Sequence, residues 1–315
     1  MSRAGFLFNI GRLLMIGALV ARGVLAQAQA PAGRKLQVVT RTIERTLACP
    51  VGTVVRIQAD KATVRVQGWD QPTVRVVLRL SARHPDRATA EKDLAAAQYR
   101  IAQPAGAVDL VNYVALPAGA PAPASDLRAD YTVLMPAANA LQVTNAYGQT
   151  SLTGLNGRQK LTQNFGQVTL HQLRGTLDAT VQYADLTGTD LQMVFTCQAE
   201  KSALQLKTLG GSCAIRNRYG SIRLEPTDEL TNVVIDAERT EVVVLTLTPA
   251  RFNYQLGATH GTLNVPVAHA PGGGPGSHQT SWKSASPGRR PLIRITTTYA
   301  PITLQSTAGA QLSPR

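Results

Sequence analysis

Five histidines, three cysteines and a scatter of carboxylates are the side chains that could carry chemistry in this 315-residue chain. His84, His171, His260, His269 and His278 form no His-x-x-x-His pair and stand beside no cysteine pair, so metal-ligand spacing is missing. There is no nucleophile elbow, Walker loop or dinucleotide fingerprint. The glycine-rich run at 272–276 follows no strand and opens no helix, which argues against a phosphate cradle. Glycoside chemistry would need two acids, or an acid beside Lys or Arg, gathered in one place. Asp178, Asp185, Asp190, Glu200, Glu225 and Asp236 instead fall at different positions of the repeat described below. The expectation is a non-catalytic protein with no cofactor and no metal. Polysaccharide lyase or hydrolase activity is the alternative.

Two sets of side chains could bind rather than react. Arg56, Arg65, Arg75 and Arg79 alternate with apolar residues and should share one face. That stripe could hold anionic envelope polymers or lipid head groups, or it could be a solvated strand face that blunts aggregation. Tyr147, Phe165, Tyr183 and Tyr219 recur in the repeat. Facing outward, their rings could stack on sugars of a glycan; facing inward, they would pack a corner, as the nearby Asn145, Gln163 and Asn217 suggest. Nucleic acid fits neither set, since no aromatic-basic motif is present.

The elements that must position these residues are strands. Thr, Val, Gln and Gly are plentiful while only 16% of residues are charged and 5% aromatic; 44% hydrophobic residues are too many for disorder. Residues 53–58, 63–67 and 73–80 alternate with period two, and the turn 68–72 (GWDQP) predicts a hairpin joining the last two runs. Pro85-Asp86 predicts a helix over Arg87–Tyr99. The segment 117–125 reads as a Pro/Ala loop, and Tyr131–Met135 as a strand.

From residue 136 the chain repeats itself. Tyr147-Gly148, Phe165-Gly166, Tyr183-Ala184, Lys201-Ser202 and Tyr219-Gly220 follow one another at intervals of 18 residues. Leu155, Leu173, Leu191 and Leu209 form a second column, and Val143, Leu161, Ala179, Cys197 and Ile215 a third. A sixth unit fits more loosely around Val233, Thr240 and Val242. A period this short suits one coil of short strands better than a helical pair. Coils stacked at about 4.8 Å would align each column, six of them rising roughly 29 Å. The glycines at 148, 166 and 220 suit corners that need positive φ or close backbone approach. The Gly/Pro/Ser-rich segment 270–291 reads as a long loop between the last coils, with the final coil around Tyr299–Leu304 as the carboxy-terminal cap. The fold class expected is therefore all-β, a single-stranded β-solenoid at 136–306 preceded by a β-rich cap with one short helix at 36–135.

Met1–Ala28 reads as a secretory signal peptide, with Arg3 and Arg12 before the apolar run 13–21 and Ala26-Gln27-Ala28 as the cleavage pattern. The run is too short to span a bilayer, which takes about 20 residues. Cleavage removes Arg3, Arg12 and Arg22 and lowers the net charge from +13 to +10. The mature chain should be exported to the periplasm, cell surface or medium, with no transmembrane segment. Export permits oxidation. Cys197 and Cys213 would lie near 8 Å apart on adjacent coils, beyond the roughly 7 Å limit for a bridge. A bulge at Gly210-Gly211 could close that gap. A Cys197–Cys213 disulfide with Cys49 unpaired is one expectation, and buried thiols the other.

Taken together, the stretch Val64–Asp70 (VRVQGWD), the strand before Pro136 and the repeated aromatic-Gly-x-apolar-x-Leu units resemble a family of exported bacterial β-strand-repeat proteins. Its members are known as a domain of unknown function and are often labelled adhesins. The resemblance covers about residues 36–306. It implies a single-stranded, right-handed β-helix and carries over no catalytic or binding residue. The signal peptide, the 18-residue columns and the absence of a convergent site lead to the expectation of an envelope scaffold or adhesion-type module.

Overall fold

A computed structural model describes residues 35–266, 278–284 and 290–306. The expected signal peptide and much of the 270–291 segment lie outside them. From Leu36 onward the described chain forms one compact unit. Its elements are β1 (Gln37–Ala48), β2 (Val54–Ala59), β3 (Ala62–Trp69), β4 (Thr73–His84), α1 (Arg87–Leu94), β5 (Ala97–Ala102), β6 (Ala107–Val114), β7 (Asp126–Pro136) and β8 (Leu141–Thr153). These are followed by β9 (Arg158–Gln182), β10 (Ala184–Thr246), β11 (Asn253–Thr259), β12 (Leu263–Asn264), β13 (Gln279–Lys283), β14 (Leu292–Thr298) and β15 (Ile302–Ser306). The fold is all-β, a long mixed sheet that does not close, with β1 at one end and β13 at the other.

β10 is 63 residues long. Laid straight it would reach on the order of 200 Å, so it must bend. It does so where single residues enter the left-handed region, at Asp190, Lys201, Thr208, Tyr219 and Arg239. Lateral pairing follows an offset of 18. Gly148 pairs with Gly166, Gly166 with Ala184, and Leu173 with Leu191, all in parallel. The Leu155, Leu173, Leu191 and Leu209 column is buried to 1% exposure or less. Further along the offset widens to 20, with Arg218 bonded to Glu238 and Tyr219 to Arg239. That insertion of two residues is why the sixth unit matches the others loosely.

At the bends, buried amides and hydroxyls replace ladder partners that the turning backbone loses. Asn145 Nδ2 donates to the Ala62 carbonyl at 3.0 Å, Gln163 Nε2 to the Phe165 carbonyl at 2.7 Å, and Asn217 Nδ2 to the Ser202 carbonyl at 3.2 Å. Gly148 and Gly166 take φ of +129° and +115° there. Gly220 is different: Tyr219 carries the positive φ, and Gly220 is needed for contact, since a Cβ would stand 2.0 Å from the Ser202 carbonyl oxygen.

Several expectations are corrected. The 63–67 and 73–80 runs do not form a hairpin. β7 lies between them, parallel to β3 and antiparallel to β4. The short link can pass because β7 stops at Pro136, whose neighbour Ala137 donates to the Trp69 carbonyl. The helix ends at Leu94 instead of Tyr99. Tyr99 belongs to β5, opposite Asn112, and packs half-buried against the core. Asp86 does cap the helix, accepting from the Thr89 amide at 3.0 Å. At the other end β14 pairs in parallel with both β10 and β11. The final strands are therefore interposed between two earlier ones, and the edge is held by β13, antiparallel to β11. Residues 279–283 of the expected loop are this edge strand.

Cys197 and Cys213 are free thiols, each 2% exposed or less, as is Cys49. Gly211 abuts Met193, which sets Cys213 beside Phe195 and two residues out of line with Cys197.

Candidate functional site

The arginine stripe is exposed throughout but divided. Arg56 stands on β2 and pairs with Asp109 at 3.5 Å. Arg75 is held by Glu44, its Nε donating at 2.9 Å. Arg65 and Arg79 line one shallow hollow with Asp130 and Thr132. Exposed pairs of this kind contribute about 0–1 kcal/mol. They neutralise half of the stripe that charge alignment suggested.

The aromatic column faces solvent. Tyr147, Phe165 and Tyr183 are 48%, 39% and 47% exposed, and Tyr219 is half-buried. Ring centroids of the first three are 4.8 and 5.2 Å apart with planes within 19° of parallel, which matches the lateral strand spacing of about 4.8 Å. The consequence is geometric. Phe165, the inner ring, spends both faces on its neighbours and presents only its edge outward, so sugars cannot stack on it.

The row extends beyond the four aromatic residues. Lys201 Nζ lies 4.8 Å over the Tyr183 ring and donates to its hydroxyl at 3.0 Å. That hydrogen bond, with electrostatic attraction to Tyr183, raises the Lys201 pKa. Arg239 stands between two rings, 5.3 Å from Tyr219 and 5.5 Å from Tyr299, and donates to the Tyr219 hydroxyl at 2.6 Å. Tyr299 stacks on His260 at 5.0 Å, and His260 on His278 at 4.7 Å. At the other end Lys61 precedes Ala62, the partner of Gly148. Lys61, Tyr147, Phe165, Tyr183, Lys201, Tyr219, Arg239, Tyr299, His260 and His278 thus form one exposed file of rings and cations. Cations on ring faces are attracted by about 0.5–1 kcal/mol at exposed sites.

The 18-residue spacing places five members of this row in one column, Tyr147, Phe165, Tyr183, Lys201 and Tyr219, and leaves out Lys61, Arg239 and His278. The likeness of His260-Gly261 and Tyr299-Ala300 to Tyr219-Gly220 reaches two more. It did not reveal that Tyr299 lies closer to Arg239 than His260 does, because that order reverses the order of the chain.

Beside the start of the row, strands β3, β4, β7, β8, β9 and β10 border a groove of about 640 Å³. Among the described residues Tyr147 is the only ring lining it. Among the described residues no group of three or more His, Cys, Asp or Glu could hold a metal, and no helix is long and apolar enough to cross a membrane.

No protein-family model matches the chain, and no curated protein matches it. Among solved structures it is similar to a candidate adhesin from Bacteroides fragilis, at 7% identity and TM-score 0.43, covering 84% of this chain and 97% of that one. A candidate lipid binding protein from Parabacteroides distasonis matches at 8% identity and TM-score 0.36, covering 84% and 96%. A candidate cell adhesion protein from Clostridium sporogenes matches at 8% identity and TM-score 0.25, covering 85% and 100%. At such identities and TM-scores the likeness carries no fold assignment and no function to this chain.

Proposed function

We propose that this chain is an exported, non-catalytic β-solenoid that serves as an envelope-associated scaffold or adhesion-type binding module. In this reading the parallel 18-residue offset is one coil of a right-handed β-helix, residues 36–135 cap it, and the signal peptide is removed on export. The observation that carries the binding role is the ten-residue exposed file from Lys61 to His278. It sets rings and cations at regular lateral spacing on one side of a long sheet. An extended anionic polymer is the partner that such a file suits, since Lys201 and Arg239 recur along it and the mature chain has a net charge of +10.

The test is binding of the mature chain to phosphate- or carboxylate-bearing envelope polymers, at low and high salt, with product analysis for cleavage. Binding that weakens with salt, and falls severalfold in a Lys201→Ala/Arg239→Ala variant of unchanged melting temperature, supports the proposal. Polymer turnover would move the protein to the carbohydrate-active alternative. Wild-type binding by the double variant would remove the file from the function.

A further inference from the structure

We propose that the groove beside Tyr147 is a binding site for an uncharged pyranose ring, a unit of a neutral glycan. The proposal rests on the binding-module reading; the groove shares Lys61 and Tyr147 with the exposed file, while the rest of its lining and its ligand chemistry differ.

Four observations converge on it. The groove's volume, about 640 Å³, lies within the ~300–1,000 Å³ range of small-ligand sites. Tyr147 is the first ring of the stack: Phe165 covers one face at 4.8 Å, and among the described residues no ring or cation stacks on the other. The electron-rich face of an aromatic ring attracts the positive edges of C–H bonds, and a pyranose presents such a face of C–H groups.

The polar lining is unspent. The side-chain amides of Gln149 and Gln167, the Asp130 carboxylate, and the Lys61 and Arg83 cations all line the groove, and none has a protein partner among the described residues. Together they offer donors and acceptors in the mixture that vicinal hydroxyls need, each hydroxyl giving one hydrogen bond and accepting up to two. Gly148 and Gly166 add wall without side chains.

Charge selects the class. Lys61, Arg83 and Arg128 are balanced by Asp126, Asp130 and Asp185, and Arg128 is already bound to Asp126 at 2.8 Å. A uronate or phosphate would meet as many carboxylates as cations. An uncharged ring meets only hydrogen-bonding partners.

The experiment is calorimetric titration of the mature chain with methyl hexopyranosides and short neutral oligosaccharides, beside the matching uronates. A neutral glycan should bind with little dependence on salt. Tyr147→Ala and Gln167→Ala should each weaken it tenfold or more, Tyr147→Phe only slightly, and Lys201→Ala not at all. Equal melting temperatures would show that the variants are folded. No binding of any neutral glycan would overturn the proposal. So would tighter binding of the uronates, or wild-type affinity in both Tyr147→Ala and Gln167→Ala. Salt-sensitive polymer binding lost on the double substitution in the exposed file would be unaffected by those failures, so the two readings fall separately.

Discussion

At the scale of single residues, the bends are where this molecule is least forgiving. Gly166 has φ of +115°, and a Cβ there would stand 1.9 Å from the Gly148 carbonyl oxygen. Gly154 has φ of +65°, and a Cβ there would meet nothing within 4 Å. Gly166→Ala should therefore cost ~3 kcal/mol or more, combining left-handed strain with a backbone clash, whereas Gly154→Ala should cost only the strain, about 1 kcal/mol. Denaturant unfolding of the two variants reads the difference. The cysteines yield a second prediction. Burial raises the Cys197 thiol from 9.0 to about 12 and pushes Cys213 up as well. Below pH 9 folded and unfolded chains both keep these protons. Between about 9 and 12 the unfolded chain releases them while the folded chain does not, so stability falls as pH rises through that window. Native protein should resist thiol alkylation at pH 8 and react only when unfolded, which mass mapping would reveal.

At the scale of elements, the buried leucine column holds successive passes of β8, β9 and β10 together. Leu173 is wholly buried and pairs laterally with Leu191. Leu173→Asp would place an unpaired carboxylate within the column, and we expect a loss of ~4 kcal/mol or more, visible as a collapse of the thermal transition. Unchanged melting would mean that the column does not hold the core. This column was legible from spacing alone, since like residues at 18-residue intervals occupy like environments. The corner polar residues were legible for the same reason. What spacing cannot encode is the partner of a strand when several strands share the same alternation. β3, β4 and β7 all read apolar on one face and polar on the other. Any two of them could pair, and the local turn at 68–72 favoured the wrong pair. The groove was illegible for a related reason. Its lining comes from six strands scattered between Lys61 and Asp185, and only lateral register brings them together. The exposed file was half legible, because two inserted residues shift Arg239 out of the 18-residue frame.

At the scale of the whole molecule, the same device appears near both ends of the sheet. β7 enters between β3 and β4, and β14 enters between β10 and β11. A chain terminated before Arg290 would lack β14 and β15, leaving the inward edges of β10 and β11 unpaired. Unpaired strand edges are templates for association. Such a chain should therefore aggregate, as sedimentation or light scattering would detect, even though the outermost strand β13 is retained. A truncated chain that remained monomeric and melted like the full-length protein would contradict the placement of β14. The interposed strand also has a temporal meaning. Arrays of stacked units can ordinarily grow from any nucleus by adding neighbours, yet here the youngest piece of polypeptide must settle between walls made before it. Maturation cannot run smoothly from first residue to last. The native state waits for the carboxy-terminal stretch to arrive, and until then the far end stays separated from the body by a gap one strand wide.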